Sequence, residues 1–209
     1  MTTLLIAGAT GLVGGHVLRL ALADPRITRV VAPTRRPLAV HARLENPIVD
    51  FAALDADAPW WAVDGVVCAL GTTRKVAGSD AAFRQVDVDH VLAVATHARR
   101  AGARAFALNS SVGADAASGN FYLRCKGEAE QGVAALGYPS LTWVRPSLIG
   151  GERAEHRPLE ALGAGVMRVL GPLVPARYRI VPAERIAAVL LEAAVMATPG
   201  VHVRESESI

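Results

Sequence analysis

At 209 residues, 52% of them hydrophobic and 20% charged, the chain is long enough for one well-buried domain and too short for two ordinary ones. That balance excludes a disordered chain, and an Ala-, Val- and Leu-rich sequence with only 5% aromatics suits buried parallel strands covered by small-residue helices. The formal charge of +3 sits on scattered arginines with no aromatic–basic stripe beside them, so it reads as a mildly basic solvated surface and excludes a nucleic-acid footprint.

Strand-like and helix-like segments alternate along the chain, the pattern of a parallel sheet with crossover helices. Thr3 to Ala7 reads as the first strand, and a helix follows from about Leu12 to Ala23. Val30 to Pro33 is the second strand, Ile48-Val49 a short third, and Gly65 to Leu70 the fourth. A long helix is expected from Asp80 to Arg100, with Ser79 as its N-cap and Gly102 as its stop. Within it Phe83, Val86, His90, Val91 and Val94 follow helical spacing. Arg104 to Asn109 gives strand five, Phe121 to Leu136 a helix, and Leu141 to Val144 strand six. Glycine and proline punctuate Ser147 to Pro182; an apolar helix over Ala183–Ala197 and a strand over Val201–Arg204 close the chain. The expected architecture is α/β, a Rossmann-type doubly wound parallel sheet in three layers with a small C-terminal cap. Residues 1–209 are expected to form one domain, with a cofactor-binding core over 1–146 and the substrate side over 147–209.

Cys68 and Cys125 belong to no CxxC pair and read as inert buried thiols. His16, His41, His90, His97, His156 and His202 show no metal-ligand spacing, so no metal is expected. The apolar stretch Leu4–Ala7 is too short for a signal peptide or a membrane span, which sets the expectation of a cytoplasmic protein. Among the 22 basic residues only Lys75 and Lys126 are lysines.

Gly8-Ala9-Thr10-Gly11-Leu12-Val13-Gly14 directly follows the first strand and opens the first helix, with G-x-x-G-x-x-G spacing. Gly8 permits the tight turn, Gly11 lets backbone approach a diphosphate, and Gly14 permits close helix–strand packing. Free amides and the helix dipole there attract phosphate, so Gly8, Thr10, Gly11, Leu12 and Val13 form the expected diphosphate-binding set. After the second strand stands Thr34-Arg35-Arg36 with no carboxylate nearby. Two guanidinium groups suit a 2′-phosphate, so NADP(H) is the preferred cofactor, with NAD(H) as the alternative. Asp50 and Phe51, after the third strand, are candidates for the adenine edge, against a plain loop role.

Tyr122 and Lys126 stand four apart at the start of a helix, which places both side chains on one face. A neighbouring ammonium favours phenolate, and tyrosine can then exchange a proton with a carbonyl or alcohol oxygen while hydride moves at a nicotinamide. The same lysine can hold the nicotinamide ribose hydroxyls. Upstream, the fifth strand ends in Asn109-Ser110-Ser111, whose hydroxyls can reach the reacting oxygen.

With these motifs the chain resembles the atypical and extended short-chain dehydrogenase/reductases, which include NAD-dependent epimerases and dehydratases. Within them it is most similar to the Tat-interacting-protein subgroup. The shared stretches are Leu70-Gly71-Thr72-Thr73-Arg74, Val86-Asp87-Val88-Asp89, Ser110-Ser111, Gly113-Ala114-Asp115, Tyr122-Leu123, Lys126-Gly127-Glu128 and Arg145-Pro146. The resemblance covers about residues 3–155 and the remainder only loosely. It implies NADP(H) binding along Leu70, Gly71, Thr72 and Thr73, with Ser110 nearby and Pro146 and Leu148 beside the nicotinamide. It also implies serine, tyrosine and lysine roles for Ser111, Tyr122 and Lys126, with Ser111 preferred to Ser110 because it precedes the Val112-Gly113 turn.

One departure concerns Asp87, which stands where many family members carry an asparagine that supports a proton relay to the lysine. The short C-terminal part argues against a nucleotide-sugar epimerase and for a small or open substrate site. The function expected is an oxidoreductase acting on a small carbonyl or alcohol; the alternative is a non-catalytic NADP(H)-binding sensor that works through a protein partner. The final apolar helix is expected to pack on its own domain, with a homodimer contact as its other use.

Overall fold

Leu4 to Ala7 are four consecutive residues with no solvent exposure, as a strand covered on both faces requires. In the computed structural model, which describes residues 2–150 and 175–209, this run is β1 (Thr2–Ala7). It pairs in parallel with β2 (Ile27–Val31) on one side and β4 (Gly65–Cys68) on the other. β3 (Leu44–Glu45) extends the sheet past β2, and β5 (Ala105–Asn109), β6 (Ser140–Arg145) and β9 (Gly200–Glu205) extend it past β4. The order is β3-β2-β1-β4-β5-β6-β9 and every pairing is parallel, so the expected Rossmann-type sheet is present. A separate two-stranded ladder joins β7 (Ile149–Gly150) to β8 (Val181–Pro182).

Helices cover both faces. On one, α1 (Leu12–Ala23) and α6 (Ala183–Met196) set Val13, Val17, Ala21, Ile186 and Leu190 against Leu4, Ile6, Val30 and Val67. On the other, α4 (His90–Arg100) and α5 (Phe121–Ala134) set Val91, Val94, Ala129 and Val133 against Leu5, Val31, Val66 and Phe106, with Trp61 sealing that core. The strands supply alternate side chains to the two cores, which is why they read in sequence as unbroken apolar runs.

Two sequence expectations are corrected. The third strand lies at Leu44–Glu45, not Ile48-Val49, and Ile48 keeps only an isolated bridge to Thr34. Pro47 has no N–H for the ladder, and the Asn46 side-chain amide takes the Ala32 carbonyl (2.6 Å), so regular pairing stops there. The helix expected over Asp80–Arg100 follows the short α2 (Arg74–Ala77) and runs as α3 (Asp80–Arg84), a π turn (Gln85–Asp89) and α4. Asp87 and Val88, within the π turn, are both buried. Of the stretch Ser147–Pro182 assigned to the substrate side, residues 151–174 lie outside the described residues.

Ile186 is fully buried where α6 meets the sheet, and truncating it leaves a cavity that the close packing fills only in part. Ile186→Ala is expected to lose about 2–5 kcal/mol of stability, read from the urea midpoint at unchanged slope.

Candidate functional site

The carboxyl ends of β1, β4, β5 and β6 lie along one edge, where Ala7 is in register with Cys68, Cys68 with Leu108, and Asn109 with Val144. Chain order reverses between β1 and β4, and the turns leaving these strands border the crevice that such a reversal opens.

The turn after β1 is built by close backbone approach. Gly8 has φ +88°, and a Cβ there would stand 2.5 Å from the Ala69 carbonyl oxygen at the end of β4. A Cβ on Gly14 would stand 2.1 Å from the Gly8 carbonyl oxygen, so both positions admit only glycine. Gly11 donates its N–H to that same oxygen (2.9 Å) and caps α1 with no side-chain hydrogen bond. The opening amides of α1, at Leu12 and Val13, therefore end in a glycine turn with the positive end of the helix dipole behind them. Thr10 is exposed at the tip of this turn. This arrangement fits a phosphate group.

On the β2 side, Thr34 is buried and its hydroxyl donates to the Arg36 carbonyl (2.7 Å). Arg35 and Arg36 are exposed and form no ion pair among the described residues. Asp50 is exposed, whereas Phe51 is buried with its ring 5.9 Å from His90, so of the two Asp50 is the residue that faces solvent. Burial lowers the His90 pKa. His90 packs on Phe51, while Asp87, in the π turn just before it, is buried.

Asp87 and Lys126 form a buried ion pair, Oδ1 to Nζ 2.8 Å, with side chains 1% and 7% exposed. The other Asp87 oxygen accepts the Thr72 backbone N–H (2.8 Å), and Gly71 packs beside both groups. One carboxylate thus ties the turn after β4 to α5. Burial opposes the Lys126 ammonium, but the charges around it, Asp87 foremost, hold this lysine above its ordinary range. Cys68, beneath the pair, is pushed up to about 12 by burial, so its thiol stays neutral.

Tyr122 is half-buried, its ring 5.9 Å edge-on from Phe83 and 5.9 Å from the Lys126 ammonium. Asn120 caps α5 by accepting the N–H groups of Tyr122 (2.9 Å) and Leu123 (3.3 Å), which fixes where the tyrosine leaves the helix. The Ser110–Asp115 turn is bound to the same helix through Asp115 N–H to the Leu123 carbonyl (3.1 Å).

The two serines have different surroundings. Ser110 donates to Glu130 (2.5 Å), while Ser111 has only a long contact to the Val112 carbonyl (3.4 Å). Glu130 is buried and also receives a two-pronged contact from Arg145 (3.0 and 2.6 Å), which reaches Glu205 on β9 as well. Ser110 is thereby committed to a structural hub, which leaves the Ser111 hydroxyl the less engaged of the two. Sequence reading missed this hub, although Tyr122, Lys126 and Glu130 stand four apart on one helical face and Arg145 follows in the quoted Arg145-Pro146. Pro146 is buried beside the edge, and Leu148 is exposed beyond it.

The fold and this edge define a Rossmann-type α/β protein. Over 181 residues the chain is 37% identical to the protein fmp52, mitochondrial, of Emericella nidulans, covering 82% of this chain and 77% of that one. A rat protein, HTATIP2, is 39% identical over 162 residues, covering 75% and 66%. The chain belongs to the family of the fmp52 proteins, and the rat protein matches the subgroup that the sequence resembles. No family model matches the chain. Among solved structures, MoeE5 in complex with UDP-glucose and NAD superposes with a TM-score of 0.73 at 17% identity, over 97% of this chain and 75% of that one. A short chain dehydrogenase family protein from Francisella tularensis gives 0.71 at 14% identity, over 100% and 98%. The expectation of a cytoplasmic protein is overturned by the fungal relatives, whose names place them in mitochondria.

Glu130→Ala would leave Arg145 partly buried without its main partner, and a loss of about 3–5 kcal/mol is expected, read from the urea midpoint.

Proposed function

We propose that the protein is an NADP(H)-dependent oxidoreductase that interconverts a small carbonyl compound and its alcohol. The observation that carries this reading is that the glycine turn after β1 and the Tyr122–Lys126 pair on α5 open onto the same carboxyl edge of one parallel sheet. In this reading Gly8, Thr10, Gly11, Leu12 and Val13 surround the diphosphate, and Arg35 and Arg36 pair with the 2′-phosphate. Asp50 stands at the adenine edge, with the rim of Phe51 behind it. Leu70, Gly71, Thr72, Thr73 and Ser110 line the path towards the nicotinamide, and Pro146 and Leu148 flank it. The nicotinamide, when bound, supplies or accepts the hydride. Lys126 holds the adjoining ribose hydroxyls, Ser111 orients the reacting oxygen by hydrogen bonding, and Tyr122 gives that oxygen its proton in reduction or takes it in oxidation.

A second reading, an NADP(H)-binding regulator without turnover, is favoured by one feature. The Lys126 charge is already shared with Asp87, which leaves less of it to act on a bound cofactor or a reacting oxygen. A screen of aldehydes, ketones and quinones for NADPH oxidation separates the two. Turnover is expected, and tight NADPH binding without turnover on any of them contradicts the enzyme.

Tyr122→Phe is expected to lower turnover about 10²–10⁴-fold while NADPH affinity stays within twofold or so of the parent. Undiminished turnover would remove Tyr122 from the chemistry. Arg35→Ala with Arg36→Ala is expected to weaken NADPH binding by roughly tenfold or more and to spare NADH, measured by calorimetry. Equal losses for both nucleotides would refute the 2′-phosphate role.

A further inference from the structure

Lys126 is among the most buried charged groups of the described residues, yet nothing about its helix alone would keep an ammonium there. A lysine buried without a counter-charge gives up its proton readily. Three titratable groups act on it: Asp87 from the π turn, Tyr122 from one turn earlier on α5, and Cys68 from the end of β4. Cys68 is held neutral by burial, and Glu130, one turn further along α5, is engaged by Arg145 and Ser110. Asp87 alone of these combines direct contact at 2.8 Å with a second anchor, the Thr72 backbone N–H. That anchor fixes the carboxylate on the turn beside which the ammonium sits, with Gly71 leaving the space between them.

We propose that Asp87 is the counter-ion and positioning residue of Lys126: it keeps the ammonium charged inside the protein and pins it against the Gly71–Thr72 turn. Asp87 touches neither substrate nor cofactor in this scheme and acts through the lysine. Asp87 lies on the π turn, four residues after the buried Phe83 and four before the buried Val91, on the side of the helix that faces the interior. The consequence for the cofactor rests on the NADP(H) reading above; the counter-ion role does not.

With only Lys75 and Lys126 in the chain, lysine-selective isotope labelling gives two side-chain signals, and Lys75→Arg assigns them. Lys75 is exposed and serves as the internal standard. In the parent protein, free of nucleotide, the Lys126 signal is expected to titrate at higher pH than Lys75. Asp87→Asn keeps the shape and an oxygen for the Thr72 N–H but removes the charge, so burial is left unopposed. The Lys126 midpoint is then expected to fall below that of Lys75, by about one pH unit or more. A Lys126 midpoint at or below that of Lys75 in the parent protein overturns the proposal, and this comparison stands even if the variant does not fold. A midpoint unmoved in Asp87→Asn overturns it as well.

A separate measurement concerns the cofactor. NADPH affinity of Asp87→Asn is expected to decline as pH rises through the lowered Lys126 midpoint, because the deprotonated amine loses its charge for the ribose hydroxyls, while the parent shows no such decline over that range. If the lysine shifts as expected and NADPH affinity stays level, the counter-ion role holds and the placement of Lys126 at the cofactor fails.

Discussion

How closely α1 can approach the turn leaving β1 sets the geometry of the whole carboxyl edge. With the Gly8 carbonyl only 2.1 Å from where a Gly14 Cβ would be, and the Ala69 carbonyl 2.5 Å from where a Gly8 Cβ would be, three backbone segments meet with no room for side chains. The helix can start immediately after the strand only because of this, so its amide end faces the crevice where chain order reverses. Any side chain here would push α1 off the sheet and disturb the layer in which Val13, Val17 and Ala21 meet Ile186 and Leu190.

The opposite layer is held at the same edge by polar contacts. Asp87 with Lys126, and Glu130 with Ser110 and Arg145, bury charge that gains little net stability by being paired, so their value lies in placement. Both hubs grip α5, one from the turn after β4 and the other from the ends of β5 and β6. The helix carrying Tyr122 is thus fixed against the strand ends at two successive turns. This division leaves Ser111, rather than Ser110, with the less committed hydroxyl.

Most of the fold was legible because buried parallel strands leave unbroken apolar runs such as Leu4–Ala7 and Val66–Cys68, and because glycine spacing marks the first turn. The helix Leu12–Ala23 was read to the residue, since a glycine turn and an apolar periodicity bound it. The third strand was misplaced because Ile48-Val49 looks more strand-like than Leu44-Glu45. Pairing there was decided by the missing N–H of Pro47 and the side chain of Asn46. The π turn was invisible because a single extra residue per turn leaves helical spacing nearly intact on either side. Tyr122 and Lys126 were legible from their spacing of four; Asp87 reads only as a departure from the family's asparagine, because a lone carboxylate on a helix reads by default as solvated although it stands four residues before the buried Val91. Glu130 continues the same spacing, but a glutamate on a helix reads by default as a solvated one. The names of the fungal relatives contradict the expectation of a cytoplasmic protein.

The glycine turn after β1 is the proposed seat of a dinucleotide diphosphate, and equilibrium binding of NADPH and NADH to the purified protein is its sharpest test. Saturable binding of at least one of them is expected at or below about 1 mM, tighter for NADPH. No uptake of either nucleotide at that concentration would contradict it.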